Sequence, residues 1–253
     1  MILDSFKLND KVAIVTGAST GLGQGMAMAL AEAGAAITGV SSGSMEETQK
    51  KVEAIGGRFT AVRADLTSTE PVAGILEKTI ETYGRIDILV NNAGIIRRED
   101  AINFSERDWD DVININLKTL FFLSQAVAGK YIEQGIGGKI INIASMLSFQ
   151  GGIRVPSYTA SKSAVMGITK ALANEWAKYN INVNAIAPGY MVTNNTATLR
   201  ADESRNAAIL DRIPAGRWGT PDDMKGAVVF LASAAADYVN GYTLAVDGGW
   251  LAR

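Results

Sequence analysis

The chain has 253 residues, 47% hydrophobic and 20% charged, with a formal net charge of −2. That balance suits a globular protein with a sizeable core and leaves no basic footprint for nucleic acid or an anionic membrane. Cysteine and histidine are both absent, which excludes disulfides, thiolate nucleophiles, cysteine-based metal sites, Ser-His-Asp catalysis and imidazole acid/base chemistry.

The first residues include Asp4, Lys7 and Asp10 and so lack the apolar run of a signal peptide. No window approaches the roughly 18 uncharged apolar residues of a spanning helix. The expectation is a cytoplasmic protein with no membrane or nucleic-acid partner. From residue 12 onward short apolar runs alternate with longer helical patterns. The runs at 12–15, 36–40, 59–62, 86–90, 139–143, 181–186 and 243–246 read as strands. The stretches 22–33, 45–55, 71–83, 106–130, 156–178 and 221–232 carry helical apolar spacing. Ser105 before Glu106, and Thr220 before Pro221, have the form of helix starts. This rhythm predicts an α/β protein: one Rossmann-type domain over 1–253, with a doubly wound sheet of seven parallel strands and helices on both faces. The segment 191–217, rich in Asn, Thr and Arg, breaks the rhythm. It is either a substrate lid or a surface excursion.

The first strand runs into Thr16-Gly17-Ala18-Ser19-Thr20-Gly21-Leu22-Gly23 and then a helix. Glycines let the backbone turn tightly and approach a pyrophosphate, whose charge suits a helix N-terminus. The spacing G-x-x-x-G-x-G departs from the commoner G-x-G-x-x-G. The second strand ends at Ser41-Ser42, with neither the acid that would select NAD nor an arginine for NADP. With no base within Ala18 to Thr20 either, the pattern leans towards NAD. Asp65-Leu66 and Asn91-Asn92-Ala93-Gly94 follow the third and fourth strands, where open parallel sheets hold ligands. The Asp65 carboxylate suits an adenine amino group, whereas Asn-Asn-Ala-Gly also makes an ordinary turn.

Tyr158 and Lys162 stand one helical turn apart and so share a face. A fixed cation beside a phenol favours the phenolate. Ser145, just past the fifth strand, supplies a hydroxyl that can hold a substrate oxygen, the arrangement that interconverts an alcohol and a carbonyl.

Taken together, Thr16 to Gly23, Asn91 to Gly94, Asn116, Ser145, Tyr158 with Lys162, and Pro188-Gly189 leading to Thr193 resemble the single-domain short-chain dehydrogenase/reductase family over nearly the whole chain. The resemblance implies that Tyr158 is the general acid or base, that Ser145 polarises the reacting oxygen, and that Lys162 bonds the nicotinamide ribose and lowers the tyrosine pKa. It also implies that Asn116 holds a water leading from Lys162 to solvent and that Thr193 contacts the nicotinamide carboxamide. The implied cofactor contacts are Gly17, Ser19, Thr20, Gly21, Leu22, Gly23, Ser41, Asp65, Leu66, Asn92, Ala93, Gly94, Tyr158, Lys162, Pro188, Gly189 and Thr193. NAD is the expected cofactor, hydride passes between it and the substrate carbon, and no metal is required. A homotetramer is implied as well.

Arg97, Arg98, Gln150 and Arg154 flank these motifs. Arginines there suit a carboxylate held by paired hydrogen bonds, which points to a small keto sugar acid over a sterol or acyl chain. A 3-oxoacyl thioester reductase of the same family is the enzymatic alternative, and a silent dinucleotide-binding protein is the alternative of a different class.

Overall fold

The computed structural model describes residues 1–253. Its first strand, β1 (Val12–Thr16), is buried at every position, as expected where helices cover both faces of a parallel sheet. With β2 (Ala36–Ser41), β3 (Phe59–Arg63), β4 (Ile88–Asn91), β5 (Gly138–Ile143), β6 (Ile181–Pro188) and β7 (Thr243–Val246) it forms one sheet in the order β3-β2-β1-β4-β5-β6-β7. Every neighbouring pair is parallel. The strand order reverses between β1 and β4, and the carboxyl ends of all seven strands share one edge.

Hydrophobic packing divides by face. On one face α1 (Gly21–Glu32) and α9 (Lys225–Ala232) bury Met26, Leu30, Val228 and Leu231 against the sheet. On the other, α3 (Val72–Tyr83), α5 (Leu120–Gln134) and α6 (Pro156–Trp176) contribute Ile75, Leu123, Val127 and Leu172. The short α2 (Glu46–Ala54) buries Thr48 and Val52.

The expected helix over 106–130 is divided into α4 (Glu106–Ile113), a π-helical turn at Asn114–Thr119, and α5. The cause lies in Asn116, whose side chain is bonded to the chain at Ile95 rather than left in its own helix. By length and composition Glu106–Gln134 is apolar enough to cross a membrane, but its apolar side is that of a wall helix, with Leu123, Val127 and Tyr131 packed on the sheet. The segment 191–217 contains α7 (Ala197–Ala201) and α8 (Glu203–Arg212). A satellite cluster of Met146, Ile209, Ile213, Trp218 and Trp250 ties α8 to the strand edge.

Four polar side chains cross the second face in a buried ladder. Asn91 donates to Ser124 on α5 and to Asn142 on β5, both at 2.9 Å, and Asn142 donates to Thr169 on α6 at 3.0 Å. Each bond is modest, but removing one member strands its partners without water. Asn142→Ala is expected to cost about 2–4 kcal/mol of unfolding free energy, measured by urea denaturation; a loss below about 1 kcal/mol would mean that the ladder is slack.

Candidate active site

At the carboxyl edge the glycine loop is hung from β2: Gly17 N–H donates to the Val40 carbonyl at 2.7 Å. Gly17 has φ +67°, and a Cβ there would lie 2.7 Å from Asn92 Nδ2, so both conformation and space require glycine. A Cβ on Gly23 would collide with the Gly17 carbonyl. Thr16 staples this loop to the turn after β4, its Oγ1 accepting from the N–H groups of Asn92 at 3.0 Å and Ala93 at 2.9 Å. No side chain caps the start of α1, and its first turn carries no acid. The orphan N–H groups of that turn therefore meet an adjoining cavity of about 350 Å³, and together they form a fitting seat for a pyrophosphate.

That cavity is lined by Gly17, Ser19, Thr20, Gly21, Leu22, Gly23, Asn92, Ala93 and Gly94 from the first strand ends. Ser145, Tyr158, Lys162, Pro188, Gly189 and Thr193 complete it from the other side. Thr193 covers Gly21, its Cγ2 standing 3.6 Å from where a Cβ would be. Three expected cofactor contacts lie outside the lining. Ser41 accepts from Gly43 N–H at 3.2 Å, Asp65 closes its own turn by accepting from Thr67 N–H at 3.0 Å, and Leu66 is buried at 8% exposure. Ile95, Met191, Asn194 and Asn195, none of them expected as site residues, also line the cavity. Ile95 adjoins the Asn-Asn-Ala-Gly turn, and the other three flank Thr193 at the start of the segment 191–217.

Of the four expected catalytic side chains, Ser145, Tyr158 and Lys162 line the cavity, and Asn116 meets Lys162 at Gly94. A Cβ on Gly94 would lie 3.0 Å from Asn116 Oδ1 and 3.8 Å from Lys162 Nζ. Asn116 is buried; its Oδ1 accepts from Ile95 N–H at 2.9 Å, while Nδ2 donates to the Ile95 carbonyl at 3.0 Å and Ser161 Oγ at 3.2 Å. With both amide protons committed, Asn116 is a fastener of the 94–95 backbone. Lys162 is buried, donates to the Ile143 carbonyl at 2.6 Å, and lies 5.7 Å from the Tyr158 ring centroid. Ser145 Oγ accepts from Leu147 N–H at 3.1 Å.

The Tyr158 phenol is not lowered by Lys162 as expected. Burial pushes the Tyr158 phenol above its ordinary value; the adjacent Ser145 hydroxyl and the charge of Arg98 act against that rise. Burial also lowers the Lys162 ammonium to about 8. Desolvation penalises whichever form is charged, so it raises the acid and lowers the base.

The substrate-side arginines separate by their partners. Arg97 is held by Asp108 and Asp111, each at 3.3 Å. Arg154, at φ +65°, is clasped by Asp100 at 3.0 Å and Glu99 at 3.7 Å, and its carbonyl accepts from Glu99 N–H at 3.1 Å. Gln150 accepts from Arg212 at 3.3 Å. Arg98 instead donates to a main-chain carbonyl, that of Asn195 at 3.2 Å.

A family model described as enoyl-(acyl carrier protein) reductase matches residues 17–251. The chain belongs to the short-chain dehydrogenase/reductase family. As a member of that family it is an NAD(P)-dependent oxidoreductase of CH–OH groups. The chain is 68% identical to the 2-dehydro-3-deoxy-D-gluconate 5-dehydrogenase of Dickeya dadantii and 66% identical to that of Escherichia coli, each over 253 residues covering 100% of both chains. A crystal structure from Agrobacterium tumefaciens, of a protein provisionally assigned as a 2-deoxy-D-gluconate 3-dehydrogenase with bound NADP, superposes with a TM-score of 0.93. It is 57% identical, and the match covers 98% of this chain and 99% of that one.

The Lys162 shift has a signed consequence for stability. Between pH 8 and 10.5 the unfolded chain binds more protons than the folded one, so stability rises across that window, and the burial penalty is fully present below it. Relative to Lys162→Met, the wild type is expected to gain roughly 2 kcal/mol between about pH 7.5 and pH 10, measured by urea denaturation. A difference independent of pH would sink the burial account.

Proposed function

We propose that the protein interconverts 2-dehydro-3-deoxy-D-gluconate (2-keto-3-deoxygluconate) and 3-deoxy-2,5-diketogluconate in the breakdown of pectin and uronates. The reading is carried by the full-length identity to dehydrogenases of that name, joined to a cavity edge that retains Ser145, Tyr158 and Lys162 with Asn116 behind it. When bound, the nicotinamide supplies or receives the hydride. Ser145 holds the reacting oxygen, and Tyr158 gives it a proton in reduction or takes one in oxidation. Lys162, whose ammonium is lowered to about 8 by burial, bonds the cofactor ribose. Asn116 keeps the 94–95 backbone in place and lies on the route by which the tyrosine is reprotonated. Thr193 closes over the nicotinamide end, with 191–217 as the substrate lid.

NAD is the working cofactor in this reading, because neither the glycine loop nor Ser41 to Gly43 carries a base. The NADP held by the Agrobacterium relative supports a nicotinamide dinucleotide of either form. The half-exposed Trp109, Phe122 and Ile132 on α4 and α5, with Tyr242 beside β7, support a homotetramer, which the mass in light scattering decides.

Arg98 is the residue we assign to the substrate carboxylate. Its neighbours Arg97 and Arg154 already face acids, whereas Arg98 holds a lid carbonyl and its charge is felt at the Tyr158 phenol. A bound carboxylate would stand between the catalytic tyrosine and the lid, and a guanidinium can hold both.

The purified protein is expected to reduce the 2,5-diketo acid far faster than an acetoacetyl thioester, and Tyr158→Phe should lower that rate by about 10²–10⁴-fold; parity between the two substrates would overturn the assignment. Arg98→Ala should raise KM for the sugar acid about ten- to hundredfold, while Arg154→Ala, which removes an exposed pair, should change it by less than about threefold. The reverse pattern in steady-state kinetics would move the carboxylate to Arg154.

A further inference from the structure

The end of β2 carries no charge of its own, since Ser41, Ser42 and Gly43 are all neutral. The neighbouring strand supplies one. Ser41 and Arg63 are register partners across the parallel β2–β3 pair, so Arg63 leaves the carboxyl end of β3 beside the serines. Its Nε donates to the Ser42 carbonyl at 3.0 Å, and the side chain is exposed. A guanidinium carries five N–H donors, so this bond orients the group and leaves its two terminal nitrogens directed elsewhere. Lys51 on α2 is occupied by Glu47 at 2.7 Å and Gln24 at 2.8 Å. Arg63, by contrast, meets a carbonyl and no carboxylate.

The place of this charge relative to a dinucleotide follows from the loop. Gly17 and Ala18 N–H both reach the Val40 carbonyl, at 2.7 and 3.4 Å, so the glycine loop and the end of β2 are one surface. A pyrophosphate seated on that loop and on the first turn of α1 would put its adenosine ribose over the end of the second strand. The 2′ position would then lie on the side of Ser41, Ser42 and the Arg63 guanidinium.

We propose that Arg63 is the counter-ion for the 2′-phosphate of NADP(H), so that the protein accepts both dinucleotides and the strength of its discrimination is set from β3. The proposal rests on the cavity being the dinucleotide site. A guanidinium matches phosphate with paired, charge-assisted bonds, and its anchoring to Ser42 reduces the freedom lost when the phosphate arrives. Nothing in the run 41–43 reveals this, because the cation lies 21 positions further along the chain.

Calorimetric titration of the intact protein with NADPH, NADH, adenosine 2′,5′-bisphosphate and 5′-AMP tests the assignment without turnover. Arg63→Gln should weaken NADPH and the bisphosphate about ten- to hundredfold and leave NADH and 5′-AMP within about twofold, and Arg63→Lys should restore part of the loss. Equal weakening of both dinucleotides would show that Arg63 only shapes the 41–44 turn, and would overturn the proposal. So would unchanged NADPH binding, or a wild type that holds the bisphosphate no tighter than 5′-AMP. In each of those cases retained NADH binding by the wild type keeps the dinucleotide site itself intact.

Discussion

The parallel pairing of β1 with both β2 and β4 is the constraint on which the active edge depends. It reverses the direction of winding at the middle of the sheet and opens a crevice where two strand ends diverge. The Thr16 hydroxyl at the end of β1 then joins the two sides, because its oxygen accepts from the turn after β4 while the backbone beyond it forms the glycine loop. Gly17 and Gly23 are consequences of this closeness. The loop, the turn and the start of α1 are so near one another that a side chain at either glycine would displace backbone.

Polar groups inside the fold are placed to orient as well as to stabilise. The ladder from Ser124 through Asn91 and Asn142 to Thr169 runs beneath the strand ends, and Asn116 fastens the backbone just above it. A π-helical turn is the local cost of that second fastening. In return Asn116 and Lys162 both reach Gly94, and the ammonium is anchored on the Ile143 carbonyl at the end of β5, two residues before Ser145. Dehydration of this region raises the Tyr158 phenol and lowers Lys162 together. Two groups whose ordinary values, 10.0 and 10.5, nearly coincide in water are separated by burial in the folded chain.

Much of the architecture was legible in the chain. The seven apolar runs became seven parallel strands, with no end shifted by more than two residues, because a strand buried on both faces needs an unbroken apolar run and leaves a strong signal. Helices α1, α2, α3 and α6 lie where the spacing placed them. The long helix was misread as continuous because a π turn preserves apolar spacing on either side of it, and its cause, the Ile95 backbone, lies 21 residues away. The glycine loop and the Tyr158–Lys162 pair were equally legible, since each is a short-range pattern whose geometry follows from one turn or one helix.

The sequence by itself determined the menu of chemistry: no thiol or imidazole, a glycine-rich strand-to-helix turn, and a phenol and an amine one helical turn apart. Only the tertiary structure decided what each charge faces. Arg97, Arg98 and Arg154 are the same residue type in neighbouring loops, yet two are held by carboxylates and one by the Asn195 carbonyl. Arg63 reaches the end of β2 from a different strand, and burial rather than Lys162 dominates the acidity of Tyr158. The physical reason is common to all three. Secondary structure and local turns arise from contacts a few residues apart, whereas solvation and ion pairing depend on which distant segments the sheet brings together.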